Sequence, residues 1–375
     1  MKKRVSSCWL LPGLALVLFT SCRKDDYPCD CKPENLVATV SVFADGLNNP
    51  RGLRFGPDGM LYVAEGGIGG THSTIGQCVQ VPDGVGPVKG STTGSRISRI
   101  NPGGHRTTFV DNLPSSTTAF GEVSGVSDVT FMDNTLYAIF AGAGCSHGVA
   151  SIPNEVIKIN PDRSWTPVAN LSQFLMSHPV ANPEADDFEP DGDWYSMIAV
   201  GNYFYAIEPN HGELDRIAKN GTISRVADIS ATQGHVVPTV VAYHEGNFYV
   251  GNLNTFPITN TSSIYKITPA GHISVVATGF STILGLAFDK LGGLFILQNT
   301  TGNPFPTPGT GTIVRLDQGG TRMTLVTGLS LPTGMTFGPD ENLYVSNWGF
   351  GKPPGGGQIL KIGLTCLKKG KNYKD

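Results

Sequence analysis

The sequence is poor in charge, and it lacks both a basic excess and a long hydrophobic run. Charged residues make up 15% of the 375 residues, and the formal net charge is −3. Proteins that bind nucleic acid use Lys and Arg to neutralise phosphates, so this composition gives no support to a nucleic-acid partner. The apolar stretch at residues 9–19 is shorter than the ~20 residues that span a bilayer as a helix.

Common catalytic and metal-binding motifs are also missing. No Ser-His-Asp arrangement or nucleophile elbow can be identified, and the pair Cys29 and Cys31 has no second pair nearby for zinc. The acidic run at residues 183–193 lacks the ordered alternation and glycine of an EF-hand loop, so we interpret it as a solvated acidic loop. Histidines that could act as general bases are His147, His211 and His235.

The N-terminus has the organisation of an export signal. Lys2, Lys3 and Arg4 precede the apolar stretch, and small residues precede Cys22. This arrangement is similar to the bacterial lipobox, which predicts a signal peptide at residues 1–21, a lipidated Cys22 and a tether at residues 22–35. An ordinary cleaved signal peptide is the alternative. Lys24 followed by two acids is either a surface-export signal or a solvated tether, so we expect an outer-membrane lipoprotein facing the periplasm or the cell surface.

What the chain has in abundance is glycine (48 residues) and proline (26 residues), which together with regular apolar clusters indicate many short strands joined by turns. One alternating pattern recurs six times, with further strands before and after each copy. These copies are Leu61-Tyr62-Val63-Ala64-Glu65, Leu136-Tyr137-Ala138-Ile139-Phe140, Phe204-Tyr205-Ala206-Ile207-Glu208, Phe248-Tyr249-Val250-Gly251-Asn252, Leu294-Phe295-Ile296-Leu297-Gln298 and Leu343-Tyr344-Val345-Ser346-Asn347.

Four short strands repeated at this spacing predict an all-β protein, a six-bladed β-propeller with four-stranded blades over residues 36–363 and a C-terminal tail at residues 364–375. We call the strands of a blade A to D, from the channel outward. The last blade lacks a D strand, and Thr39-Val40-Ser41-Val42-Phe43 can supply it. The N-terminal strand is therefore predicted to close the ring.

Cysteine positions predict two disulfides in an oxidising compartment. Cys31 lies just before the closing strand and Cys366 just after the last C strand, so a bridge between them would latch the ring, with Cys29 as the alternative to Cys31. Cys78 and Cys145 fall in the B–C insertions of the first two blades, and we expect them to pair.

Loop lengths predict which face is functional. The A–B and C–D connections are tight turns, whereas the long B–C insertions (residues 66–94, 140–153 and 253–261) and D–A insertions (residues 114–124 and 172–192) share the opposite face. We name these two surfaces the short-turn face and the loop-rich face. Binding residues are often carried on loops that a rigid scaffold positions, so we expect the loop-rich face to bind a ligand.

The last residue of each B strand should lie near the channel at this face. Five of these positions carry carboxylates or amides, which are oxygen donors that suit Ca²⁺ or another divalent ion. The candidate metal or ligand site therefore consists of Glu65, Glu208, Asn252, Gln298 and Asn347. The competing interpretation is that these side chains hydrogen-bond channel water and neighbouring backbone.

The opening of the repeat resembles that of the ScyD/ScyE family of NHL-like propellers. The resemblance rests on Asn49-Pro50-Arg51-Gly52-Leu53, the following Gly56-Pro57-Asp58-Gly59, and Gln77-Cys78-Val79 in a glycine-rich insertion. It covers about residues 38–362 and implies a six-bladed fold. The biochemical role of the family is not established, so the resemblance implies no reaction.

Two functions remain open at this point. We expect a non-catalytic, monomeric binding module, with the membrane contacted only through the lipid anchor and a small molecule, glycan or protein held on the loop-rich face. Aromatic residues such as Phe140, Trp194 and Trp348 would lie near that contact. The alternative is a divalent-metal-dependent hydrolase or lyase of lactonase-like type with its site at the channel mouth.

Overall fold

The computed structural model describes residues 35–366. The predicted signal peptide, the lipidation site Cys22, the tether before residue 35 and both Cys29 and Cys31 lie outside the described residues. Across the described range, no helix combines the length and hydropathy needed to cross a membrane.

Successive antiparallel sheets form the blades, and the first strand, β1 (Leu36–Leu47), stands apart from those that follow it. Blade 1 contains β2 (Pro50–Phe55), β3 (Leu61–Glu65), β4 (Lys89–Ile100), β5 (Arg106–Thr117) and a short fifth strand β6 (Val123–Ser124). Blade 2 contains β7 (Val126–Met132), β8 (Thr135–Phe140), β9 (Glu155–Ile159) and β10 (Trp165–Asn170). A helix, α1 (Leu171–Ser177), precedes blade 3, which contains β11 (Ser196–Val200), β12 (Tyr203–Glu208), β13 (Glu213–Ala218) and β14 (Ile223–Asp228).

The second half of the ring repeats this plan. A short helix, α2 (Ser230–Gln233), precedes blade 4, which contains β15 (Pro238–His244), β16 (Asn247–Asn252), β17 (Ser262–Ile267) and β18 (Ile273–Phe280). Blade 5 contains β19 (Ile283–Phe288), β20 (Leu294–Gln298), β21 (Gly311–Leu316) and β22 (Arg322–Leu329). Blade 6 contains β23 (Gly334–Phe337), β24 (Leu343–Asn347), β25 (Gly357–Cys366) and β1. The predicted six-bladed propeller is confirmed.

Each B strand is buried on both of its faces, which explains why its sequence is continuously apolar. In β3, Tyr62 and Ala64 belong to the core between blades 1 and 2. Leu61 and Val63, which point the other way, belong to the core between blades 6 and 1. Successive side chains of a strand point to opposite faces, so a strand sandwiched between two blades needs apolar residues at every position.

The ring closes as the sequence predicts. Strand β1 pairs antiparallel with β25, from Leu36 opposite Cys366 to Leu47 opposite Gly357. Each A strand also packs beside the A strands of the two neighbouring blades, including β23 beside β2. Blades 3 and 6 therefore lie opposite each other across the central channel.

The loop-rich face is larger than the sequence suggests. Strand β4 begins at Lys89, and its pairing with β5 extends as far as Lys89 opposite Thr117, so the ends of two predicted insertions are a projecting hairpin. Connections at residues 299–310 and 348–356 also emerge on this face, because they join B to C strands in blades 5 and 6. At the opposite face, turns such as residues 56–59 are closed by a hydrogen bond from Gly59 N to Gly56 O, and Gly59 adopts φ +75° there.

Candidate functional site

The five residues predicted as a divalent-ion site share one structural role. In four of them, a side-chain oxygen accepts a backbone N–H from the D–A connection that leads into the same blade. These bonds run from Asn48 N to Glu65 Oε2 (2.5 Å), Asp193 N to Glu208 Oε1 (2.9 Å), Ser281 N to Gln298 Oε1 (2.6 Å) and Ser330 N to Asn347 Oδ1 (2.9 Å). Each bond ties the end of a B strand to the start of the same blade.

Asn252 is the variation on this role. Its amide nitrogen donates to Val236 O at 2.7 Å in the D–A connection, and its oxygen accepts from Ser263 N at 2.6 Å. No hydrogen bond joins any of the five side chains to another in the described part of the chain. Within residues 35–366, no group of three or more His, Cys, Asp or Glu side chains is placed to hold a metal ion.

Glu65 shows how fully such a side chain is occupied. It is completely buried, and its Oε2 also accepts from Arg96 Nε at 2.9 Å while its Oε1 accepts from Ser98 Oγ. Arg96 in turn donates to Gly46 O at 3.0 Å. A buried carboxylate needs an opposite charge and several donors, and Glu65 obtains both from its own blade and the strand before it.

The loop-rich face is held together by the predicted disulfide. Cys78 and Cys145 are bonded, with their Cα atoms 6.3 Å apart, and they join the B–C insertions of blades 1 and 2. Next to the bridge, Thr74 Oγ1 donates to Cys145 O at 2.5 Å. The two insertions also meet at Gly90 and Gly148, where a Cβ on Gly148 would lie 2.3 Å from Gly90 N. Loops without a core of their own are thus fixed to each other.

The acidic run before blade 3 is buried where it meets blade 2, so its interpretation as a solvated loop is wrong for Glu189 and Asp191. Only 6% of Glu189 and 7% of Asp191 are exposed. Glu189 Oε2 lies 2.8 Å from His147 Nε2, and Asp191 Oδ2 accepts from both the N–H and the hydroxyl of Ser146 at 2.8 and 2.7 Å. These carboxylates dock the long D–A connection onto the B–C loop of blade 2.

The contact with Glu189 determines the protonation of His147. Burial lowers the pKa of His147, but the hydrogen bond and charge of Glu189 outweigh burial and raise that pKa to about 9. Its other ring nitrogen, Nδ1, lies 2.8 Å from Ala143 O. His147 is therefore a buried cation at neutral pH and has no free lone pair for general-base catalysis. His211 is also buried, with Nε2 2.9 Å from Glu189 O.

The loop-rich end of the central channel is closed by a side chain that the sequence did not single out as functional. Tyr195, at the start of blade 3, donates its hydroxyl to Thr333 O of blade 6 at 3.0 Å. Blades 3 and 6 lie opposite each other, so this bond crosses the channel. Arg51 of blade 1 lies beside Tyr195 and donates to Val123 O at 2.7 Å. Burial and the charge of Glu189 raise the pKa of nearby Asp193 well above its ordinary value.

Exposed apolar side chains are spread over the loop-rich face. They lie in the first B–C insertion (Ile68, 58% exposed; Val79, 69%), in the first D–A insertion (Phe120, 63%) and in the insertion of blade 5 (Phe305, 63%). Phe305 is paired with Phe256 of blade 4, with ring centroids 6.1 Å apart.

The expected contact aromatics behave differently. Phe140 and Trp194, expected near the contact surface, are fully buried and present no side-chain surface to a ligand. Both belong to the cores that flank blade 2, because a large ring at these positions fills the space between blades. Trp348 is partly exposed and carries Lys352 over its ring at 4.4 Å.

Comparisons with known proteins support the architecture. No family model matches the chain, and no curated protein matches it in sequence. Among solved structures, it resembles a putative oxidoreductase (glucose dehydrogenase) from Thermus thermophilus, with 16% identity, a TM-score of 0.56 and coverage of 87% of this chain and 99% of that one.

A gluconolactonase from Xanthomonas campestris matches with 11% identity, a TM-score of 0.54 and coverage of 88% and 90%. A Bacteroides thetaiotaomicron protein of unknown function matches with 13% identity, a TM-score of 0.55 and coverage of 88% and 76%. At these identities the similarities show the fold alone: the chain is a six-bladed β-propeller of the shape that gluconolactonase-like proteins share.

Proposed function

We propose that this chain is a lipid-anchored, monomeric outer-membrane binding module, an NHL-like propeller of the ScyD/ScyE type, that holds a protein partner on its loop-rich face. The observation that carries the proposal is the set of exposed apolar side chains on that face, including Val79, Phe120 and Phe305. Exposed aromatic and aliphatic side chains on a loop surface suit contact with a protein partner.

Rigidity supports the same conclusion. The Cys78–Cys145 bridge and the Glu189–His147 ion pair fix the loops that carry or border Val79 and Phe120. A preorganised surface loses less conformational entropy on binding, so more of the contact energy remains as affinity. The His147 imidazolium is locked in that ion pair, which agrees better with a structural role than with catalysis.

The course of β1 gives a direction to the proposed anchor. Strand β1 is the D strand of blade 6, and D strands end at the loop-rich face, so Leu36 lies at the short-turn face. A chain tethered through Cys22 would therefore enter the propeller at the short-turn face, and its loop-rich face would point away from the membrane. That orientation leaves the exposed apolar side chains accessible to a partner.

Photocrosslinking from defined positions tests the proposal. A photoreactive amino acid is placed at Val79, Phe120 or Phe305 in the full-length protein in its own membrane. The control positions are Val275 and Leu291, which are 52% and 49% exposed and lie away from the loop-rich face. We expect the same adduct from all three loop positions and from neither control. No adduct, or equal adducts from loop and control positions, would refute the proposal.

The alternative, a divalent-metal-dependent hydrolase or lyase, depends on the five-residue ring around Glu65 and Glu208. Their oxygens are engaged with backbone N–H groups, and in Glu65 also with Arg96. Metal content of the purified mature domain, measured before and after chelation, distinguishes the two functions. One stoichiometric divalent ion that is lost in Glu65→Ala would favour the enzyme.

A further inference from the structure

The central channel is a pocket with one closed end. It encloses about 550 Å³ and is lined by A strands of the ring. At the loop-rich end, the bond from Tyr195 to Thr333 O crosses it. At the short-turn end, the lining reaches Gly201, which is exposed, and Tyr243, which is 42% exposed. A pocket of this volume is within the range of about 300–1,000 Å³ that holds small organic ligands.

One unpaired cation projects into this pocket. Arg54, in β2, is half-buried and lines the channel. Its Nε is buried without a hydrogen-bond partner, and no salt bridge or hydrogen bond from its guanidinium to the described residues is formed. By contrast, the buried Arg51 and Arg315 have carboxylate partners, Glu122 at 3.4 Å and Asp289 at 3.1 Å. A buried Nε without an acceptor is unfavourable, and a bound anion would accept hydrogen bonds from this guanidinium.

The one carboxylate among the lining residues does not supply that acceptor. Asp128 of blade 2 is buried, and its oxygens accept from Met197 N (2.9 Å), Ser196 Oγ (3.2 Å) and Val129 N (2.8 Å). The bonds from Met197 and Ser196 tie blade 2 to blade 3. Burial raises the pKa of Asp128, whereas the charge of nearby Arg54 lowers it.

The remaining wall suits a ligand with an apolar body. Ile198, Val241, Leu286 and Met335 come from four different blades and all line the channel. Each A strand has a single hydrogen-bonded neighbour in its sheet, so its inner edge presents backbone N–H and C=O groups to the same space. Apolar side chains can cover the body of a ligand while Arg54 and the strand edges orient its polar end.

From this combination we infer that the channel binds a small organic anion with an apolar body, which enters from the short-turn face and pairs its anionic group with Arg54. Arg54 is suited to a carboxylate, sulfonate or phosphate, because its planar guanidinium can donate two parallel hydrogen bonds. The site is independent of a partner on the loop-rich face, because the pocket opens on the opposite side.

Two fluorescent probes that differ in one charged group test the inference. Anilinonaphthalene sulfonate is anionic, and N-phenylnaphthylamine has the same ring system without the sulfonate. In the full chain we expect saturable binding of the anionic probe with one site per protein. The variant Arg54→Gln should weaken that binding at least about tenfold, the loss expected for a charged hydrogen bond, and should change binding of the neutral probe less than about twofold.

Matched variants identify where the probe binds. Arg216→Gln removes an exposed arginine outside the channel, and Val79→Ser removes an exposed apolar side chain from the loop-rich face. Both should bind the anionic probe as the wild-type protein does, and Arg54→Lys should retain part of the binding. Thermal unfolding of Arg54→Gln shows whether it is folded. Failure of the wild-type protein to bind the anionic probe, or unchanged binding in folded Arg54→Gln, would overturn the inference.

Discussion

Asp215 carries a buried carboxyl group whose removal should stabilise the protein. It lies in β13 with no exposed surface, and neither of its oxygens has a hydrogen-bond partner among the described residues. Burial raises the pKa of Asp215 to about 8, against the charge of Arg225 and with the help of Glu208. The same strand contains Glu213. Burial and the charge of Asp215 raise the pKa of Glu213 to about 9. The substitution is Asp215→Asn, which keeps the shape and removes the proton equilibrium.

The magnitude follows from linkage between protonation and folding. The pKa of Asp215 in the folded protein lies above its unfolded value of 3.8. Its contribution to stability is therefore fully present below about pH 4 and is lost as the pH rises through about 8. Between those limits each pKa unit corresponds to about 1.4 kcal/mol. The free energy of unfolding is therefore about 4 kcal/mol lower at pH 7 than at acid pH because of Asp215. Asp215→Asn removes this loss of stability.

Urea unfolding followed by tryptophan fluorescence at pH 5, 7 and 9 measures the effect. We expect the free energy of unfolding of the wild-type protein to fall across this series, and Asp215→Asn to be more stable than wild type at pH 7 by about 2–4 kcal/mol. Asp45 is exposed on β1, and Asp45→Asn should leave the pH profile as in the wild type. A variant less stable than wild type at pH 7 would mean that Asp215 is charged and bound, contrary to this reasoning.

Three further predictions concern the site. Glu65→Ala leaves Arg96 without its buried partner and should lower the free energy of unfolding in urea by about 3–5 kcal/mol. Mass spectrometry should find the same metal content in variant and wild type, and a stoichiometric ion lost only in the variant would contradict this. In the double variant Cys78→Ser and Cys145→Ser, the free energy of unfolding should fall by about 2–4 kcal/mol. Limited proteolysis should cleave the variant first within residues 66–88, and cleavage elsewhere would show that the bridge does not fix this loop. Tyr195→Phe removes a hydrogen bond across the channel and should lower the free energy of unfolding by about 1–2 kcal/mol. Hydrogen exchange of the backbone amides near the start of β23 should be faster in the variant, and equal exchange in both proteins would show that other contacts hold the channel end.

Local residue patterns in the sequence predict much of the fold. The continuously apolar residues of the B strands indicate burial between two blades, and tight-turn residues mark the short-turn face. The closing role of residues 39–43 follows from counting strands, because one blade lacks its fourth. The pairing of Cys78 with Cys145 follows from their positions in adjacent insertions on one face.

The site is less predictable, because its chemistry depends on which neighbour each side chain meets. The position of Glu65 at a strand end is apparent from spacing, but its bonds to Asn48 N and Arg96 depend on how three strands cross. Similarly, composition makes Glu189 look solvated, whereas His147 from another blade buries it. Nothing in the sequence marks Arg54 as a binding residue, because an arginine in an inner strand is distinguished only by the absence of a partner in the folded structure.

Closure of the ring by β1 also constrains the order of folding. Residues 36–47 are synthesised early, yet their partner strand at residues 357–366 is synthesised some 320 positions later. Until then, β1 has no sheet to join, and pairing across so long a chain separation is slow. Blade 6 is therefore the last to be completed, and loss of β25 alone would separate β1 from its sheet and open the ring.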